Sequence, residues 1–123
     1  MLYALLCYHS EDVVCAWSQR ENEEVMAKLG VVQDRLAKAG RLGPVARLMP
    51  TTAATTLRAD RQSPLVIDGP FAETKEQLLG FFIVDCENLN EALDVARDLG
   101  QANPGGAYEI RPLALYEPEG FRG

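Results

Sequence analysis

MLYALLCY, residues Met1 to Tyr8, is apolar on both of the faces that strand alternation creates: Leu2, Ala4 and Leu6 on one, Tyr3, Leu5 and Cys7 on the other. A strand of that kind has to be covered twice, so it belongs in the middle of a sheet. LGFFIVD, residues Leu79 to Asp85, has the same character and predicts a second central strand.

Between them, His9-Ser10-Glu11-Asp12 breaks the first run, and Ser18 with Glu21 three positions later forms a capping box that opens a long helix. Val25, Leu29, Val32, Leu36 and Ala39 recur at helical spacing and give it one apolar side. Glu24 with Lys28 and Asp34 with Lys38 are placed to pair on its exposed side, and Gly40 supplies the stop. Pro44 to Leu48, Ala53 to Arg58 and Pro64 to Asp68 are short segments separated by Pro and polar clusters, which predicts a strand followed by a hairpin or edge pair. Beyond LGFFIVD, Asn88 and Glu91 cap a second helix whose apolar side is Leu89, Leu93, Ala96 and Leu99, closed by Gly100. Asn103-Pro104-Gly105-Gly106 turns the chain into a last strand, Tyr108 to Leu115.

The element order is therefore that of an α+β, ferredoxin-like βαββαβ domain with an extra central hairpin. Right-handed crossovers put both helices on one face of an antiparallel sheet. The other face is left apolar, which soluble proteins rarely tolerate, and face-to-face homodimerisation is the simplest cover. Of 123 residues, 47% are hydrophobic and 24% charged, the balance of one ordinary globular domain, with no bias toward disorder or a coiled coil.

Twelve Lys and Arg against eighteen Asp and Glu leave a net charge of −6, which repels phosphate backbones. Nucleic-acid binding is not expected; the one regional group of basic residues is Arg41, Arg47, Arg58 and Arg61. Met1 to Tyr8 has no basic leader and is far short of the roughly 20 residues of a membrane span, so a cytoplasmic protein without membrane partners is expected. Cys7, Cys15 and Cys86 make no CxxC pair, and as an odd set they are expected to be reduced. With His9 as the one histidine, neither a metal site nor another cofactor is expected. The common nucleotide, serine-hydrolase and zincin strings do not occur.

The densest chemistry lies in Asp68-Gly69-Pro70-Phe71-Ala72-Glu73-Thr74-Lys75-Glu76, which sets three carboxylates, a lysine and a hydroxyl around a turn between two strands. Its plain reading is a wet connection in which Asp68 caps the backbone and Gly69-Pro70 makes the bend. The string DGPFAETKE resembles the signature of the DGPF family of YCII-related proteins, and MLYALLCY, TTLR at Thr55 to Arg58 and EIRPL at Glu109 to Leu113 resemble that family's other segments. The resemblance covers residues 1–116 as one domain and leaves 117–123 as a C-terminal tail. It implies a dimeric α+β barrel, bacterial origin and association with an extracytoplasmic-function sigma factor. For the wider superfamily it implies catalysis through a His and Asp pair, for which His9 and Asp68 are this chain's candidates. His9 departs from the acidic residue that DGPF relatives often carry after the first strand.

Topology independently brings the imidazole to the same loop. An antiparallel first strand ends beside the starts of LGFFIVD and of the last strand, so His9 comes near the end of the DGPFAETKE loop and near Tyr108 to Arg111. Glu73, Thr74, Lys75, Glu76 and Arg111 are the expected binding residues around catalytic His9 and Asp68. An imidazole beside a carboxylate can act as general acid and base, which fits a small-molecule isomerase, lyase or hydrolase in a dimer cleft. The alternative is a ligand-sensing or regulatory module that uses the same cleft for binding alone. A third reading leaves the charged rim as dimer support, and fold does not choose among them.

Overall fold

The first strand, β1 (Leu2–His9), pairs antiparallel with β5 (Gln77–Asp85) on one side and with β6 (Ala107–Pro112) on the other. β2 (Leu42–Arg47) lies outside β5, giving a four-stranded antiparallel sheet of order β2-β5-β1-β6. β3 (Thr55–Arg58) and β4 (Leu65–Asp68) form a separate two-stranded sheet after a 3-10 turn at Thr51–Ala53. These observations come from a computed structural model that describes residues 1–60 and 62–118. Arg61 and residues 119–123 of the expected tail lie outside the described residues.

Register explains the core. Tyr3 lies opposite Val84 and Leu5 opposite both Phe82 and Ile110, so these side chains share one face. The core on that face adds Leu29, Val32 and Leu36 from α2 (Gln19–Lys38) and Ala92, Val95 and Leu99 from α3 (Leu89–Ala102). Leu2, Leu6, Tyr8 and Phe81, on the opposite face, are half-buried and contribute nothing to that core. The architecture is a mixed α+β fold with an antiparallel sheet and three helices, the third being α1 (Glu11–Cys15).

The caps set the helix limits. Ser18 Oγ accepts from Glu21 N at 3.1 Å while Ser18 N donates back to the Glu21 carboxylate. At the other end Gly40 takes φ 70°, Arg41 N reaches Leu36 O and Gly40 N reaches Ala37 O, a Schellman close that a left-handed residue permits. Glu24, placed by spacing to meet Lys28, is bonded to Arg20 instead.

Several boundaries differ from expectation. β3 begins at Thr55 rather than Ala53, which closes the 3-10 turn, and β5 begins at Gln77 rather than Leu79, since β1 extends to His9 and pairs with it. α1 occupies the segment read as a break, five residues being too few for any period to show. β2 begins at Leu42, and Pro44 sits where its register with β5 shifts, a place where a missing N–H costs no ladder bond. α3 runs past Gly100 to Ala102, since Pro104 rather than glycine prevents its continuation. β6 stops at Pro112 rather than Leu115, because β1 starts at Leu2 and offers no further partner beyond the Leu113 N to Leu2 O bond.

Candidate functional site

At the rim where β1 ends, His9 lies opposite Gln77, the first residue after the DGPFAETKE loop. His9 is 4% exposed. Nδ1 accepts from Ser10 N at 2.8 Å, so Nε2 carries the proton and donates to Pro104 O at 3.4 Å. Trp17 stands edge-on at 6.0 Å between ring centroids, and Gly105 and Gly106 close the other side. A Cβ on Gly106 would come within 2.5 Å of Tyr8 O and 3.2 Å of His9 Cδ2, so the turn must be glycine there for the ring to fit. His9 thus has both ring nitrogens committed to backbone groups.

Asp68 ends β4 with its side chain exposed. Gly69 follows at φ 123°, a conformation that favours glycine, and bonds back to Ala54 O at 2.8 Å. The loop then folds around a depression of about 420 Å³ that Asp68, Glu73 and Thr74 line together with Thr51 and Gln77. Lys75 and Glu76 belong to the same loop and are exposed, outside the lining of that depression. Arg111 lies opposite Ala4, five residues before His9 on β1, hence about 16 Å along the strand from the rim. There it is hydrogen-bonded to Glu109, which holds its guanidinium above the ordinary arginine range.

Three residues that carry the rim were not expected from sequence. Glu11 accepts from Thr51 N at 2.8 Å and from Thr51 Oγ1 at 2.7 Å, which pins the 3-10 turn to the start of α1. Gln77 accepts from Glu11 N at 2.8 Å and donates to Thr74 O, so the loop is tied to the same point. Only the polarity of Glu11 directly after the first strand hinted at this, since its partners lie 40 and 66 positions away. The arrangement presents carboxylates and hydroxyls on a braced frame, suited to hydrogen-bond donors in a small polar molecule.

Of the arginines grouped in the sequence, the three described are spent separately. Arg41 is paired with Glu91 and bonds Asp85 O, Arg58 pairs with Asp60 and lies over the Phe71 ring, and Arg47 reaches Met26 Sδ at 3.8 Å. Cys7, Cys15 and Cys86 are free thiols; Cys7 lies opposite Gly80 whereas Cys86 follows Asp85, opposite Leu2, at the far end of the sheet. Among the described residues no group of His, Cys, Asp and Glu is arranged to hold a metal ion, and no helix is long and apolar enough to cross a membrane.

Comparison with known proteins places this geometry in a family. The chain is 63% identical over 119 residues to an uncharacterized protein of Rhizobium meliloti (strain 1021), an overlap of 96% of each chain. The family model described as the YCII-related domain matches residues 1–116. With nearly its whole length matched, from β1 through β6 and the rim loop between them, the chain belongs to the YCII-related domain family.

Proposed function

We propose that this YCII-related chain is a ligand-sensing module that works as a homodimer and binds a small amine or polyol in the rim depression without transforming it. The observation that carries the reading is the contrast at the rim. Polar side chains from four segments, Thr51, Asp68, Glu73 with Thr74, and Gln77, surround one depression, while the chain's one imidazole is sealed between backbone partners. A general base needs an open nitrogen within hydrogen-bond reach of the substrate, and His9 would have to give up a backbone bond to offer one.

The strand order β2-β5-β1-β6, with α2 and α3 supplying the core on one face, supports a ferredoxin-like core into which β3 and β4 are inserted. The half-buried opposite face supports pairing of two such cores into a barrel. The DGPFAETKE string supports a place in the DGPF branch, and with it an extracytoplasmic-function sigma factor as the regulated partner.

NMR titration with small amines and diols tests the reading. Binding should move the amide signals of Thr51, Gly69 and Gln77, and Asp68→Asn with Glu73→Gln should weaken it about tenfold or more, the loss expected for hydrogen bonds to charged groups. Turnover of a bound compound that disappears in His9→Gln, or the absence of any shift at those amides, would overturn it.

A further inference from the structure

The helix-facing side of the sheet tapers toward the rim. Its rows are Tyr3 with Val84, Leu5 with Phe82 and Ile110, and then Cys7 with Gly80 and Tyr108. In the last row a thiol and a hydrogen stand where the others have large side chains. Gly80 is required by its neighbour strand, because a Cβ there would lie 2.2 Å from Ala46 O. No side chain from β5 can therefore fill the space above it.

What remains is a cavity of about 110 Å³ under α2, walled by Leu29, Phe82 and Trp17. It comes to the surface at Met26, Val45 and Arg47, all exposed. Its volume is of the order of the roughly 150 Å³ apolar cavity that stays dry and takes up benzene. The wall is not wholly apolar, however. Asn103 is 7% exposed, and its Oδ1 has no hydrogen-bond partner among the described residues. The Tyr108 hydroxyl is also buried and, among the described residues, unpartnered; the Cys7 thiol lies beside it without ordinary hydrogen-bond geometry. Buried polar atoms left single are rare in folded proteins, and two in the wall of one void point to a group that completes them.

We propose that this cavity is a ligand site, separate from the rim depression, for a small alcohol or phenol whose apolar body lies against Leu29, Phe82 and Trp17. A hydroxyl suits both orphans, since it can donate to Asn103 Oδ1 and accept from the Tyr108 phenol. An anionic head does not suit the inner end, where Asn103 Oδ1 offers only an acceptor and the nearest cation in the lining, Arg47, is at the mouth.

Phenol and benzene are the probes, with the indole N–H of Trp17, the chain's one tryptophan, as the NMR reporter. Phenol should shift that signal saturably and bind about tenfold more tightly than benzene, the difference expected of one buried hydrogen bond. Tyr108→Phe, which removes a single oxygen, should reduce the preference, and Asn103→Leu should abolish it. Cys7→Leu, which fills the void, should remove the response to both probes. Equal affinity for phenol and benzene, a preference untouched by Tyr108→Phe and Asn103→Leu, or no saturable shift at Trp17 in the unsubstituted protein would overturn the proposal.

Discussion

Tyr108 and Cys7 face each other across β6 and β1, and burial raises the pKa of both, the phenol from its ordinary 10.0 and the thiol from 9.0. In the phenol's case the neighbouring thiol adds to the effect, whereas the nearby phenol acts the other way on Cys7. The folded chain therefore keeps protons that the unfolded chain sheds above those ordinary values. Stability is complete below them and falls as pH rises through the window up to the raised values. Urea unfolding should show the midpoint dropping from about pH 9 upward, and dropping less steeply in Tyr108→Phe. Equal slopes in the two proteins would show that Tyr108 does not carry the effect. Nothing in the sequence isolates this pair, because residues 7 and 108 meet only through strand register. The DGPFAETKE loop is the opposite case: its chemistry is local, so Asp68, Glu73 and Thr74 could be picked out as one group. The Glu11 clamp on Thr51 and Gln77 could not, being assembled from three segments.

At the scale of the element, α2 is the clearest case of local sequence setting its own limits. Ser18→Ala should cost about 1 kcal/mol through the lost cap. Gly40→Ala should cost roughly 1–2 kcal/mol for forcing a Cβ into the left-handed region. The two ends are about 30 Å apart, so the double variant should lose the sum of the single losses in urea unfolding. A double-variant loss well short of that sum would mean that the helix ends are coupled through the sheet. These limits could be read from the chain because capping partners sit three or four positions apart. β1 and β5 were readable for a related reason, since doubly apolar alternation occurs within each strand. Where an element ends for lack of a partner, as β6 does at Pro112, the deciding residue lies on another strand and no local signal exists. α1 fails for brevity: its N-cap, Ser10, makes no side-chain cap bond, and its five residues bury none.

At the scale of the molecule, two surfaces lack cover among the described residues of one chain. One is the sheet face with Leu6 opposite Phe81; the other is the β3–β4 hairpin, whose cross-strand pair Leu57 and Val66 is 59% and 64% exposed. A two-stranded sheet is marginal by itself in water, which adds to the case for a partner copy. Light scattering should give twice the 13.5 kDa chain mass at micromolar concentration, and Leu6→Asp, placing a charge on the sheet face, should give the monomer. A monomer mass in the unsubstituted protein would contradict the proposed homodimer. The sequence implied this requirement through its doubly apolar strands, but the hairpin's separation into a sheet of its own came only with the pairing pattern. The two outer strands of the main sheet add a further consequence. β2 contains Pro44 at its register shift and β6 ends on Pro112, and proline, with no N–H, is a residue that edge strands use to discourage pairing with an incoming strand. Growth by strand addition is thereby disfavoured at those two positions, so that the proposed pairing through one broad face would not extend sideways into fibrils.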